Sequence, residues 1–279
     1  AYYVAAEGLP YAVPFDDNGN RIEYPGGDSR IKNVYGEWDY QKDQRTNLRL
    51  TAAIYAGLDF GEMWSPLKGL AFRINFGPDF RYYNRGLFVD AASFNRNGSN
   101  YALNSNEKHF SWTLDTILSY NRDFGKHTVG ATFLHSADAY TVTGSSMDAE
   151  GLPLPSALWN NMGSVSALRS WGSSLTERQM ESYMGRINYS YDGRYMITAS
   201  VRGDGASQLA EGHKWAVFPS VAIGWRIDNE HFMRNATWLE LLKIRAGYGI
   251  TGNSAVDPYK TKGAIIGVFY PYGASVTSG

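Results

Sequence analysis

Residues 247–252 carry the glycine spacing G-x-G-x-x-G, which in nucleotide-binding proteins brings backbone N–H groups close to a pyrophosphate. That chemistry needs a strand before the glycines, a helix after them and an acidic residue about 20 positions further on. Residues 253–258 have no helical pattern. We therefore interpret Gly247 and Gly249 as small residues of a crowded interior, and we predict no dinucleotide site.

Residues 16–20, Asp-Asp-Asn-Gly-Asn, resemble a calcium loop. An EF-hand needs glycine at the sixth position of its loop, but Gly19 is fourth. Asn18-Gly19 is more typical of a type I′ hairpin turn. Loop calcium stays an open alternative.

Groups for other chemistry are sparse. The chain has no cysteine, which excludes disulfides, thiolate catalysis and cysteine-ligated metals. Its five histidines lack metal-ligand spacing, and neither a nucleophile elbow nor a P-loop occurs. Carboxylate pairs for glycoside hydrolysis are spatial, so the sequence neither supports nor excludes them. We predict no catalytic residue, no cofactor and no metal.

Two tryptophans are the candidate ligand contacts. Trp159 and Trp171 fall in the longest predicted loop, residues 141–178. A flat indole stacks on a sugar face and presents one polar N–H. The alternative is that these side chains pack the loop or contact a partner protein.

Alternation of apolar and polar residues dominates the chain. In residues 183–191 and 195–201 every second residue is apolar, and an Asp-Gly turn joins the two runs, which predicts a hairpin with Tyr191 opposite Tyr195. About eight such strands are predicted, many of 9–14 residues, near the roughly 9–11 needed to cross a membrane. The other runs lie near 47–59, 70–76, 111–120, 127–140, 220–226 and 242–250.

The connections alternate between short and long. Outer-membrane barrels have short periplasmic turns and longer extracellular loops, so we predict an antiparallel transmembrane β-barrel wall. Its parts are 1–44, mostly extracellular loop; 45–250, strands and loops; and 251–279, extracellular loop. The short connections lie near 61–69, 121–126, 192–194 and 228–239. The long ones lie near 84–107, 141–178, 204–214 and beyond 251.

Charge excludes one class of partner. The formal net charge is -1, which gives no electrostatic basis for binding nucleic acid. Strand parity directs a set of cations to the barrel lumen, where carboxylates of a plug could pair with some of them. These cations are Arg49, Arg73, Arg186, Arg202, Arg226, Lys243 and Arg245.

Three blocks, residues 183–202, 214–226 and 242–253, resemble the SusC/RagA family of TonB-dependent transporters. The resemblance implies an integral outer-membrane barrel of 22 strands with an N-terminal plug. It also implies energy coupling through the TonB complex, a SusD-like surface lipoprotein as a lid, and import of a large nutrient, typically an oligosaccharide and sometimes a peptide.

The chain is expected to be a middle piece of such a barrel. Neither a signal peptide nor a plug is recognisable, both ends look cut, and about eight of 22 strands cannot close a barrel. Two other functions stay open. One is a passive outer-membrane channel or adhesin, and the other is a secreted soluble all-β protein that binds glycans.

Overall fold

The computed structural model describes residues 10–235, 238–263, 269–272 and 275–278. Parts of the predicted loop segments 1–44 and 251–279 lie outside these ranges. No helix of the described residues is long and apolar enough to cross a membrane. The strands are β1 (Gln41–Thr51), β2 (Ile54–Asp59), β3 (Leu70–Val89), β4 (Tyr101–Phe124), β5 (His127–Glu150), β6 (Ala167–Tyr191), β7 (Tyr195–Ala206), β8 (Trp215–Arg226), β9 (Lys243–Gly249), β10 (Phe269–Tyr272) and β11 (Ser275–Ser278). The helical segments are α1 (Phe60–Met63) and the 3-10 turns Glu37–Tyr40, Ser65–Leu67, Pro155–Ala157, Met162–Ser164, Ile227–Asn229 and His231–Met233.

The main sheet follows chain order, β1-β3-β4-β5-β6-β7-β8-β9, with β2 also paired to β3. The registers β2–β3, β6–β7, β7–β8 and β8–β9 are antiparallel, as is the separate β10–β11 hairpin. This confirms the predicted all-β antiparallel class. The predicted strand 47–59 is divided into β1 and β2. At the break the Ala52 N–H donates to the Pro78 carbonyl at 3.0 Å, and proline has no N–H to return.

Four strands are longer than the sequence predicted. β3 has 20 residues, β4 and β5 have 24 each and β6 has 25. The predicted loops 84–107 and 141–178 therefore shrink to 90–100 and 151–166. The added segment of β4 is polar on both faces over Asn104-Ser-Asn-Glu-Lys108. Hydrophobic alternation could not reveal a strand there.

The β6–β7 hairpin has the predicted register, with Tyr191 opposite Tyr195 and Tyr189 opposite Ile197. Asp192 and Gly193 in its turn have φ values of 53° and 63°. The apolar row continues through Ile223 on β8 and Ala246 on β9. One face of these strands is thus continuously apolar.

The opposite face is polar and built from small residues. Arg186 of β6 lies opposite Ser200, which lies opposite Ser220, which lies opposite Gly249. The Ser200 and Ser220 hydroxyls are 2.7 Å apart. The sequence predicted this division between the two faces.

Charged residues join three of the connections that the sequence predicted to be short, although the one after β8 spans residues 227–242. Arg194 contacts Asp192 at 2.6 Å and Glu230 at 3.1 Å, and Lys126 contacts Asp192 at 3.4 Å. Glu230 also accepts hydrogen bonds from the Tyr195 hydroxyl at 2.6 Å and from a tryptophan indole of β8 at 3.0 Å. These contacts, which we call the turn cluster, hold together the connections after β4, β6 and β8.

Contacts divide the chain into two compact units. The first unit consists of Ala1–Leu50, Phe80–Phe110 and Val142–Leu175. The second consists of Thr51–Asp79, Ser111–Thr141 and Thr176–Gly279. Trp159 and Trp171 belong to the first unit, and the β6–β7 hairpin and turn cluster belong to the second.

Candidate functional site

Trp159 lies in the connection between β5 and β6 and is only 9% exposed. Its indole packs in a cluster with Phe88, Ala102 and Leu152. Gly86 of β3 contributes no side chain, and a Cβ atom there would overlap the Trp159 ring. This environment favours packing, the alternative that the sequence left open for this residue.

The first residues of the loop that carries Trp159 are bound to Asn100, the residue before β4. The Leu152 N–H donates to Asn100 Oδ1 at 2.6 Å, and Asn100 Nδ2 donates to the Leu152 carbonyl at 2.9 Å. Asn100 is itself buried. A side-chain amide that satisfies both backbone groups of one residue leaves little freedom at this point.

Trp171 lies on β6 and not in a loop, which corrects the sequence prediction. Its side chain is 76% exposed. It borders a cavity of about 420 Å³ together with Asn104, Asn106 and Met162. Met162 also packs against the Trp159 cluster, so the two tryptophans share one neighbour although their exposures differ greatly.

We call this cavity the Trp171 cavity. Asparagine side chains form its polar wall. Asn106 Oδ1 accepts from the Tyr82 hydroxyl at 2.9 Å and from Asn84 Nδ2 at 2.7 Å. Asn106 Nδ2 donates to Asn104 Oδ1 at 3.3 Å. The described lining also includes serines but no charged residue. An exposed indole beside amides and hydroxyls can contact a neutral polyhydroxylated ligand.

Sequence reasoning missed the asparagines. They belong to the strand extensions of β3 and β4, and the stretch of β4 around Asn104 and Asn106 has no hydrophobic period to mark a strand. The repeated spacing of two in Asn104 and Asn106 is the one sequence signal for a shared face.

A second buried group organises the first unit. Glu37 is 8% exposed and accepts hydrogen bonds from Arg21 at 2.8 Å and from the Ser93 hydroxyl at 2.6 Å. Burial alone would raise the pKa of Glu37, but the hydrogen bonds from Ser93 and Arg21 outweigh it and the pKa is lowered. The Arg21 guanidinium also lies 4.3 Å from the ring centroids of Tyr40 and Phe94. The segment 21–40 is thereby tied to residues 93–94.

The candidate calcium segment forms a tight hairpin instead of an open ligand loop. Asp16 Oδ1 accepts the N–H groups of Asn18 at 2.9 Å and Asn20 at 2.7 Å. Gly19 has φ 80° but Asn18 is not in the left-handed region, so the predicted type I′ turn is wrong. In the described part of the chain, no three His, Cys, Asp or Glu side chains could together hold a metal ion.

Two of the predicted lumen cations pair with a carboxylate two positions further along the chain. Arg202 Nε contacts Asp204 at 2.6 Å, and Arg226 pairs with Asp228. Asp204 is two positions from Arg202 along β7, so strand parity keeps it on the face of its arginine, whereas Asp228 lies in the turn Ile227–Asn229 that follows β8. Pairing inside the wall reduces the number of cations that a plug would have to neutralise.

Comparisons with known proteins identify relatives over most of the chain. No protein-family model matches. TonB-dependent receptor P26 of Formosa agariphila is 31% identical over 212 residues, which cover 73% of this chain and 21% of the receptor. TonB-dependent receptor P3 of the same organism is 27% identical over 250 residues, 89% of this chain and 24% of the receptor. TonB-dependent receptor SusC of Bacteroides thetaiotaomicron is 40% identical over 89 residues, 32% of this chain and 9% of SusC.

Solved structures share the fold. The RagAB peptide transporter matches with a TM-score of 0.77 at 20% identity, and the match covers 95% of this chain and 29% of that chain. The matched regions therefore span 9% of SusC, 21% and 24% of the two Formosa receptors and 29% of the RagAB chain. The match confirms the predicted partial barrel wall.

Proposed function

Because this chain is part of the barrel wall of a SusC/RagA-type TonB-dependent receptor, we propose that the intact protein imports an oligosaccharide across the outer membrane with energy supplied through TonB. The observation that supports an oligosaccharide as the cargo is the lining of the Trp171 cavity. Its exposed indole, asparagine amides and serine hydroxyls are uncharged, and they suit stacking on a sugar ring with hydrogen bonds to its hydroxyls.

An apolar sheet face favours membrane insertion over the secreted soluble alternative. Ile187 is 59% exposed and Ile223 is 58% exposed on that face. Contiguous apolar surfaces of this kind mark interaction with a membrane or a protein. The polar stretch at residues 104–108 of β4 and the charged turn cluster suit the aqueous sides of the outer membrane.

An exposed aromatic group suits the proposed lid lipoprotein. Tyr35 and Trp38 are 53% and 61% exposed, and their ring centroids are 6.0 Å apart. Phe15 packs edge-on against Tyr35 at 5.0 Å. Neighbouring aromatic residues are enriched at protein interfaces, so we propose that a SusD-like lipoprotein contacts these rings.

The transport proposal is tested by uptake into intact cells. Uptake of a labelled neutral oligosaccharide should require a functional TonB complex, and Trp171→Ala should reduce it while Trp171→Phe, which keeps a flat ring, should retain most of it. Undiminished uptake without TonB would favour the passive channel. If Trp171→Ala took up as much sugar as the parent protein, Trp171 would not contact the ligand. Cleavage of the sugar by the purified protein would contradict a purely transporting role.

The membrane orientation is tested by cysteine labelling of the intact protein. Lys126→Cys lies in the turn cluster with a side chain that is 62% exposed, and Ser164→Cys lies in the connection that carries Trp159. We expect an impermeant reagent on whole cells to label position 164 and spare position 126. The reverse pattern would invert the proposed topology.

A further inference from the structure

A second cavity of about 270 Å³ lies within the second unit. Three segments form it: the stretch of β6 around Arg178, the loop between β7 and β8, and residues 258–262. It is smaller than the roughly 300–1,000 Å³ of a drug-sized site, and it therefore fits a group the size of one sugar ring. We call it the Gln208 cavity.

Hydrogen bonds hold the three segments together. Gln179 and Ser207 are joined twice, through Gln179 N–H to the Ser207 hydroxyl at 2.9 Å and through Ser207 N–H to the Gln179 carbonyl at 2.9 Å. The Glu177 N–H donates to the Tyr259 hydroxyl at 3.0 Å. Tyr259 has φ 68°, a conformation that costs energy in a non-glycine residue and that the surrounding contacts maintain.

Gln208 has a buried acceptor without a donor. Its side chain is 6% exposed, and Nε2 donates to the Ser254 carbonyl at 3.1 Å. Its backbone carbonyl accepts from the Thr261 hydroxyl at 3.0 Å. Within the described residues, Gln208 Oε1 accepts no hydrogen bond. Buried polar atoms are rarely left unpaired, so a ligand hydroxyl or N–H is a natural partner for this oxygen.

The charge of the cavity is mainly positive. Arg178, Lys214 and Lys262 line it, against one carboxylate, Glu177. No ion pair involves these four side chains in the part of the chain that is described. By contrast Lys260, two residues from Lys262, pairs with Asp257 at 2.6 Å. The lining cations therefore remain available to an anion.

Among these cations, Arg178 already interacts electrostatically with the Asp138 carboxyl group of β5. Arg178 also lies over the Tyr140 ring at 5.6 Å. The two lysines are therefore the better positions for a test.

We propose that the Gln208 cavity binds an acidic sugar unit. The cations hold its carboxylate or sulfate ester, and Gln208 Oε1 accepts a hydrogen bond from a neighbouring ring hydroxyl. The binding stands independently of transport, and only its role in recognising an acidic unit within an imported oligosaccharide rests on the proposed function. It differs from the Trp171 cavity, which has an uncharged lining.

The test is calorimetry or ligand-observed NMR on the purified intact protein with D-glucuronate, D-glucose and acetate. Glucuronate should bind about tenfold or more tightly than either glucose or acetate, because only it offers both the acid and the hydroxyls. Its affinity should fall as salt rises. The same titration with glucose 6-sulfate shows whether the cavity prefers a sulfate ester or a carboxylate as the acidic group.

Substitutions of single residues test whether glucuronate binds in the Gln208 cavity. Lys262→Gln and Lys214→Gln should each weaken glucuronate binding by about threefold or more, whereas Lys260→Gln, the matched control, should not. Gln208→Met should weaken glucuronate but leave acetate unchanged. Equal binding of glucose and glucuronate, or equal effects of Lys262→Gln and Lys260→Gln, would overturn the proposal.

The outcome is separable from that of the transport experiment. Glucuronate binding with TonB-independent uptake would sustain the acidic-sugar site and reject the import mechanism. TonB-dependent uptake without glucuronate binding would reject the site alone.

Discussion

The two units stabilise themselves in different ways. In the described residues, the first unit contains all but one of the buried hydrophobic side chains, including Phe88, Leu152 and Trp159, while the second contains Ala206 alone. The second unit instead exposes large apolar side chains, such as Tyr248 at 72%. The first unit has a small core of its own, whereas the apolar face of the second needs an external apolar partner. In the proposed role that partner is outer-membrane lipid.

The largest effect should come from the core of the first unit. Trp159→Ala should destabilise the loop 151–166 by about 3–5 kcal/mol, because it leaves a cavity among buried side chains. Trp171→Ala removes the same side chain from an exposed position and should change stability by less than about 0.5 kcal/mol. Hydrogen exchange of the loop in both variants measures the difference. Similar protection in the two would mean that the cluster around Trp159 does not stabilise the loop.

The apolar face of the second unit should give the next largest effect. Ile197→Arg places a charge in the apolar row that we propose faces lipid, and it should cost about 2–4 kcal/mol. Arg186→Ala, on the opposite face, should be tolerated. Heat-modifiability of the intact barrel on gels reports folding in the membrane. If both variants assembled equally well, the assignment of the two faces would be wrong.

These cases show what the sequence could and could not predict. The register of Tyr191 with Tyr195 was predictable because alternation and an Asp-Gly turn agree locally. Trp159 and Trp171 are the same residue type in one predicted loop, and their exposures differ because Trp159 meets Gly86, a contact distant in sequence. Gln208 carries no local pattern, since the donors missing around its side chain are a property of the folded loops.

The smallest predicted effect concerns pH and the first unit. The folded-state pKa of Glu37 is lowered, so its ionised form contributes stability above the unfolded pKa of about 4.3. That contribution, on the order of 1.5–3 kcal/mol for charged hydrogen bonds, is lost as the pH falls through the folded pKa. The hydrogen-exchange protection factors of residues 31–37 and 90–95, which correct for the intrinsic effect of pH on amide exchange, should fall on acidification. Glu37→Gln should have low protection already at neutral pH, and its protection should change less with pH; a variant as pH-sensitive as the parent would point to another group.

Pairing of each strand with its chain neighbour has a consequence for the order of folding. The β6–β7 pair closes only residues 192–194, the β7–β8 pair closes 207–214, and the β8–β9 pair closes 227–242. Closing the last of these connections costs about 1.5 kcal/mol more chain entropy than closing the first. By the same measure β4 and β5 are joined by residues 125–126 alone, so the β4–β5 and β6–β7 hairpins should form first, and later strands should add to the sheet one at a time. Local contacts of this kind favour rapid folding, so each added strand spends little time as an unpaired edge.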